Sequence, residues 1–135
     1  MKKIIWGLFG ALCIVACIWY LTSSSISFER ISPYKTFFSG GGMELKPGIN
    51  VFTADTHRRG NVHQIIFVGY KPSENIRVIA KQGIVHVYYD EDQSQETSSQ
   101  CREAISFANE VDQKNIRFYI NNFEEQPVNT GWATE

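Results

Sequence analysis

The chain has 135 residues, with 13 lysines and arginines against 14 aspartates and glutamates and a formal charge of −1. That length supplies one domain of ordinary size, and the near-neutral balance excludes the basic footprint by which a domain holds nucleic acid. Only Cys101 lies beyond the first 21 residues, with Cys13 and Cys17 before it, which excludes a framework of internal disulfides.

The first segment, 1–21, is dominated by an apolar run that opens at Ile4 and closes at Leu21, eighteen residues without a charge. At a rise of about 1.5 Å per residue it reaches roughly 27 Å, close to the roughly 30 Å hydrocarbon core of a bilayer. Lys2 and Lys3 precede it and no charge follows before Glu29. The positive-inside rule therefore predicts a single-pass anchor with the N-terminus cytoplasmic and residues 22–135 periplasmic or extracellular. Trp19 and Tyr20 fit the aromatic belt at the far interface. The same residues allow a second reading, since Ile14-Val15-Ala16-Cys17 resembles a bacterial lipobox after a signal-peptide layout, and Cys17 would then carry the lipid. Both readings tether the remainder outside the cytoplasm. Removing Lys2 and Lys3 with the anchor leaves eleven basic against fourteen acidic residues, which offers nothing to an anionic bilayer or to nucleic acid.

Residues 22–48 read as a juxtamembrane spacer containing Ser and Gly, with one edge strand over 26–31. Gly40-Gly41-Gly42 is not followed by Gly-Lys-Ser/Thr, so it reads as a loose joint instead of a phosphate loop. The domain proper is expected over 49–135. Strands are expected at 49–54, at 62–70, where VHQIIFVGY is dense in β-branched and aromatic residues, and at 76–80. Lys81-Gln82-Gly83 closes a hairpin in which Gly83 takes a positive φ. The next strand, 84–89, alternates, with Val85, Val87 and Tyr89 on one face and Ile84, His86 and Tyr88 on the other.

After an acidic loop over 90–96, Thr97-x-x-Gln100 has the form of a capping box. Cys101, Ala104, Ile105, Ala108 and Val111 recur at three- and four-residue steps, which predicts an amphipathic helix over 97–111 with Cys101 buried on its apolar stripe. A last strand over 116–120 precedes a polar tail with Pro127 and Gly131. The order β-β-β-β-α-β with short early links predicts an α+β domain, a largely antiparallel sheet with one helix on its inner face.

Candidate chemistry is sparse. His57, Arg58, Arg59 and His63 flank one turn and His86 lies on another strand; together they form the one polar group that invites a metal or a general base. Their spacing matches no zinc pattern, so structural roles are expected. Asp90, Asp92, Ser94 and Glu96 alternate as early calcium ligands do, yet Gln95 stands where such a loop needs glycine and Cys101 where it needs glutamate. Ser39 lies outside Gly-x-Ser-x-Gly, and no nucleophile, base and orienter occur together. The sequence thus predicts no catalytic residue, cofactor or metal site. It predicts a membrane-tethered, non-catalytic module of a bacterial-type envelope that binds a protein partner, and no nucleic acid. Two alternatives stand beside it: a lipid or small-ligand binder with Tyr70, Tyr88 or Phe118 lining a pocket, and a His-based hydrolase or metal-binding protein.

Overall fold

The computed structural model describes residues 2–21, 23–33, 44–56, 58, 60–97 and 101–134. Uncharged from Ile4 onward, the N-terminal segment forms one α-helix, α1 (Lys2–Leu21). Among the described residues no helix is long and apolar enough to cross a membrane.

Beyond α1 the chain is β-structure, in ten strands: β1 (Ser24–Ser25), β2 (Glu29–Ile31), β3 (Gly48–Thr56), β4 (Gly60–Val68), β5 (Ser73–Lys81), β6 (Ile84–Glu91), β7 (Arg102–Ala108), β8 (Ile116–Ile120), β9 (Phe123–Glu125) and β10 (Asn129–Thr134). They form two five-stranded sheets, sheet I in the order β1-β5-β6-β8-β9 and sheet II in the order β10-β3-β4-β7-β2. Each sheet is mixed. Antiparallel pairs predominate, but β6 runs parallel to β8 and β10 parallel to β3.

The alternation read from the sequence decides how the sheets meet. Val85, Val87 and Tyr89 of β6 are buried together with Ile116, Phe118 and Ile120 of β8, and across from them lie Ile49 and Val51 of β3, Ile65 and Phe67 of β4, and Ile105 and Phe107 of β7. One apolar layer therefore fills the space between the two sheets, and the Phe67 and Tyr89 rings, 4.3 Å apart, stitch them together. Fully burying each aliphatic or aromatic side chain of this layer contributes about 1.5–3 kcal/mol before the entropy of ordering is charged against it. A second, smaller cluster of Phe52, Ile66, Val68 and Ala104 packs with Ile31 and Leu45.

Three expectations are corrected. The amphipathic helix over 97–111 is replaced by strand β7, and Gln100 of its supposed capping box lies outside the described residues. β7 sits between β4 and β2 with buried residues on both faces, Ile105 and Phe107 toward the interlayer core and Ala104 toward the smaller cluster. Only Ala104 is buried on the second face, where Arg102 and Ala108 are exposed, and Ala104, Ile105 and Ala108 fit a helical stripe as readily as a strand. Phe107, which the stripe skips, is the residue that betrays the period of two.

The single sheet becomes two. The link over 69–72 carries the chain from β4 of sheet II to β5 of sheet I, with Gly69 at φ +83° making the corner. The polar tail, finally, is β9 and β10. Asn121 and Asn122 take φ of 51° and 69°, a two-residue connection between β8 and β9 of the kind that asparagine tolerates. The expected β5–β6 hairpin has the same form, with Gln82 as well as Gly83 at positive φ, 54° and 75°. Segment 22–48, read as a spacer, contributes an edge strand to each sheet: β1 pairs with β5 and β2 with β7.

Gly48 fixes the approach of the last strand. Its φ is +119°, and a Cβ there would lie 2.9 Å from both methyls of Val128. Val128 then donates its N–H to the Ile49 carbonyl at 2.8 Å, and β10 starts in register on β3.

Candidate functional site

The two described histidines lie in separate environments. β4 turns His63 inward with Ile65 and Phe67, and its side chain is fully buried. Its Nε2 lies 3.1 Å from the Val111 carbonyl, which can only accept, so Nε2 carries the hydrogen. Nδ1 must then accept from the Thr53 hydroxyl, 2.8 Å away. The Thr53 oxygen in turn accepts from Gln113 Nε2 at 3.1 Å, and the same amide reaches the carbonyls of Val51 at 3.3 Å and Gly131 at 3.2 Å. Burial holds the imidazole below its usual titration range, against the opposing pull of the Val111 and Asn109 backbone and of Asp112. Both ring nitrogens of His63 are thus committed to neutral, structural hydrogen bonds.

His86 faces the other way. β6 places it with Tyr88 on the outer face of sheet I, and the register aligns two rows across the strands: Arg77, Tyr88, Tyr119 and Glu124 in one, Ile79, His86 and Arg117 in the next. The Tyr88 and Tyr119 rings stack at 4.7 Å with planes 14° apart, and the Arg77 guanidinium lies 4.6 Å from the centre of the Tyr88 ring. His86 stacks on Tyr119 at 5.7 Å and shares a 2.9 Å hydrogen bond between Nδ1 and its hydroxyl. Partial burial lowers the His86 titration range, and the positive charges of Lys81 and Arg117 lower it further while Glu124 opposes them. Burial raises the Tyr119 hydroxyl, helped by Tyr88 and Glu124. The face is a rigid, half-exposed group of aromatic rings bordered by Arg77 and Arg117, which lie 4.0 Å from Asp90 and 3.8 Å from Glu124.

At one end of the sandwich, tyrosines and glutamates bind the sheets together. The Tyr89 hydroxyl lies 2.7 Å from the Lys71 carbonyl and 2.8 Å from Glu103 Oε2, and its one proton serves one acceptor at a time. Glu103 Oε2 also accepts from the Ser73 N–H at 2.9 Å, and Glu91 accepts from the Lys71 N–H at 2.7 Å and from Asn121 at 2.9 Å. Tyr70 donates to Glu125 at 2.6 Å. Burial, then the paired glutamate, pushes both tyrosine hydroxyls above their ordinary range.

A half-open groove of about 400 Å³ runs between the sheets on the side where β8 and β10 lie. Val51, Ile116, Phe118 and Trp132 supply its apolar lining, and Lys114 and Arg117 its cations. Of the three aromatic residues proposed from the sequence as a pocket lining, Phe118 is here, and Tyr70 and Tyr88 are not.

The described members of the polar group read from the sequence are not brought together. Arg58 is an exposed turn residue, His57 and Arg59 lie outside the described residues, and His63 and His86 belong to opposite sheets. Among the described residues no three His, Cys, Asp or Glu side chains are placed to hold a metal ion. Asp92 spends its carboxylate on the Ser94 N–H at 3.0 Å and hydroxyl at 2.6 Å. Cys101 is half-buried just before β7, and burial with Glu103 and Glu91 raises its thiol. Cys17 is exposed on α1. What the sequence reading missed is the partnership of Arg77 and Tyr119 with His86 and Tyr88. Alternation alone gave the outward face of β6, but the neighbours require the register. Compared with protein-family models, curated proteins and solved structures, the chain finds no match in any of the three.

Proposed function

We propose that the chain is a membrane-tethered binding module of a bacterial-type envelope, whose domain captures a protein partner through the outer face of sheet I. The observation that carries the reading is the stacked group of Arg77, Tyr88, Tyr119 and His86. Tyrosine and arginine dominate binding hot spots because they offer large contact areas with a polar tip, and a side chain already held by its neighbours loses little entropy on binding. Both His63 nitrogens are committed to buried hydrogen bonds, so this reading gives that residue a part in the packing and none in binding. The tether rests on the sequence alone, on the charge-free run from Ile4 to Leu21 behind Lys2 and Lys3 and on the lipobox-like Ile14-Val15-Ala16-Cys17, since among the described residues no helix is long and apolar enough to cross a membrane. Held by α1 or by a lipid on Cys17, the domain would meet partners in the same compartment at raised effective concentration.

Affinity capture from membranes tests the function. A stoichiometric partner retained by the wild type and lost with Tyr88→Ala and Tyr119→Ala is the expected result; equal capture by the double variant sinks the assignment to this face. Intact mass of the membrane-extracted protein separates a full-length chain from a lipidated product beginning at Cys17.

A further inference from the structure

The sandwich has four sheet edges, and three are blunted. β1 has two residues, β2 has three with Glu29 and Arg30, and β9 has three with Glu124 and Glu125. Short length and charge are the devices by which natural edges avoid pairing with foreign strands. β10 has neither: its six residues, NTGWAT, are uncharged, and among the described residues no strand lies beyond it. Outside α1 the exposed large hydrophobic side chains among the described residues are Phe123 of β9, in sheet I, and Val128 and Trp132, at 47% and 52% exposure, just before and within β10. At the start of β10 the Asn129 amide donates to the Glu44 carbonyl at 3.1 Å, and beside the strand runs the interlayer groove, lined in part by its Thr130 and Trp132.

We infer that this flank is a second binding surface, distinct from the tyrosine face, which takes an extended peptide strand with alternating apolar side chains and a carboxylate. The incoming backbone pairs with β10, alternate side chains enter the groove over Ile116 and Phe118, and the carboxylate meets Lys114. Strand addition suits the shape: main-chain hydrogen bonds supply affinity and the groove selects side chains. A lipid chain or compact ligand would use the groove but not the β10 backbone, in which the Gly131 carbonyl already accepts from Gln113 at 3.2 Å. Arg117 already faces Glu124 at 3.8 Å, so the cation assigned to the incoming acid is Lys114, which shares the rim with Asp112, whose carboxylate accepts from the Lys114 N–H at 3.1 Å. A second copy of the chain is disfavoured because it would bring its own Lys114 rim against this one.

The test uses the full chain in lipid nanodiscs and a capped synthetic peptide of alternating valine and threonine with one central glutamate, read by titration calorimetry. Saturable binding is expected, weakened about tenfold or more by Trp132→Ala, as for an aromatic anchor. Lys114→Glu is expected to reverse the preference between the glutamate peptide and its lysine counterpart, by about tenfold in each direction. A proline at the centre of the peptide should abolish binding. Tyr88→Ala should leave it unchanged, so failure here and failure of the tyrosine face are separable. Absence of binding, equal binding of the proline peptide, indifference to Lys114→Glu, or a chain dimer dispersed by Trp132→Ala would each overturn the inference.

Discussion

His63 and His86 are the same side chain in two settings, one enclosed between the sheets and one on an outer face. Around His63 each polar atom answers another, so the ring is part of the packing. Around His86 the partners are tyrosines and arginines whose outer edges remain accessible. Stacking and charge thus accompany a histidine that is available to a partner, whereas a complete set of hydrogen bonds accompanies one that is not.

The comparison breaks first at His63. His63→Ala leaves a cavity and strands the Val111 carbonyl and the Thr53 hydroxyl, so a loss of about 2–4 kcal/mol is expected in urea unfolding. A loss below about 0.5 kcal/mol, the range of ordinary surface changes, would show that the network is not part of the packing. Next comes Tyr89→Phe, which removes the proton shared by Lys71 and Glu103 and should cost about 1–2 kcal/mol in the same measurement.

The third effect depends on pH. The folded protein holds His63 below its ordinary value of 6.5, so the unfolded chain binds more protons as pH falls. This contribution to stability is full above pH 6.5 and declines below it until the depressed folded value is passed. Unfolding midpoints between pH 7.5 and 5 should fall in the wild type and fall less in a His63→Asn variant; parallel curves would remove His63 as the cause. The smallest effect on stability is at the outer face, where Tyr119→Ala should cost no more than about 1 kcal/mol. Under the binding role proposed for this face, its effect on capture is expected to be far larger than its effect on stability, which would separate the two settings.

Much of this was legible locally. The sequence alternation of β6 set its two faces, and Gln82-Gly83 announced its hairpin. The split into two sheets was not legible, because Gly69 and Pro72 mark a turn without saying whether the next strand returns to the same layer. β7 was misread because Cys101, Ala104, Ile105, Ala108 and Val111 also fall at helical spacing, while the alternation that identifies a strand rests on Ile105 and Phe107 alone. The Asn121-Asn122 pair was a hairpin signal that could have recovered β9. For the histidines, period two placed His86 outward, but nothing local revealed that Thr53, Val111 and Gln113 would converge on His63 from three separate segments.

The attachment of β1 bears on posture. Only Thr22 and Ser23 separate the end of α1 at Leu21 from the first strand at Ser24. Even fully extended, the three Cα steps from Leu21 to Ser24 reach about 10 Å. A domain joined this closely to its helix has little freedom to swivel about it, so the direction of α1 and the attitude of sheet I are coupled.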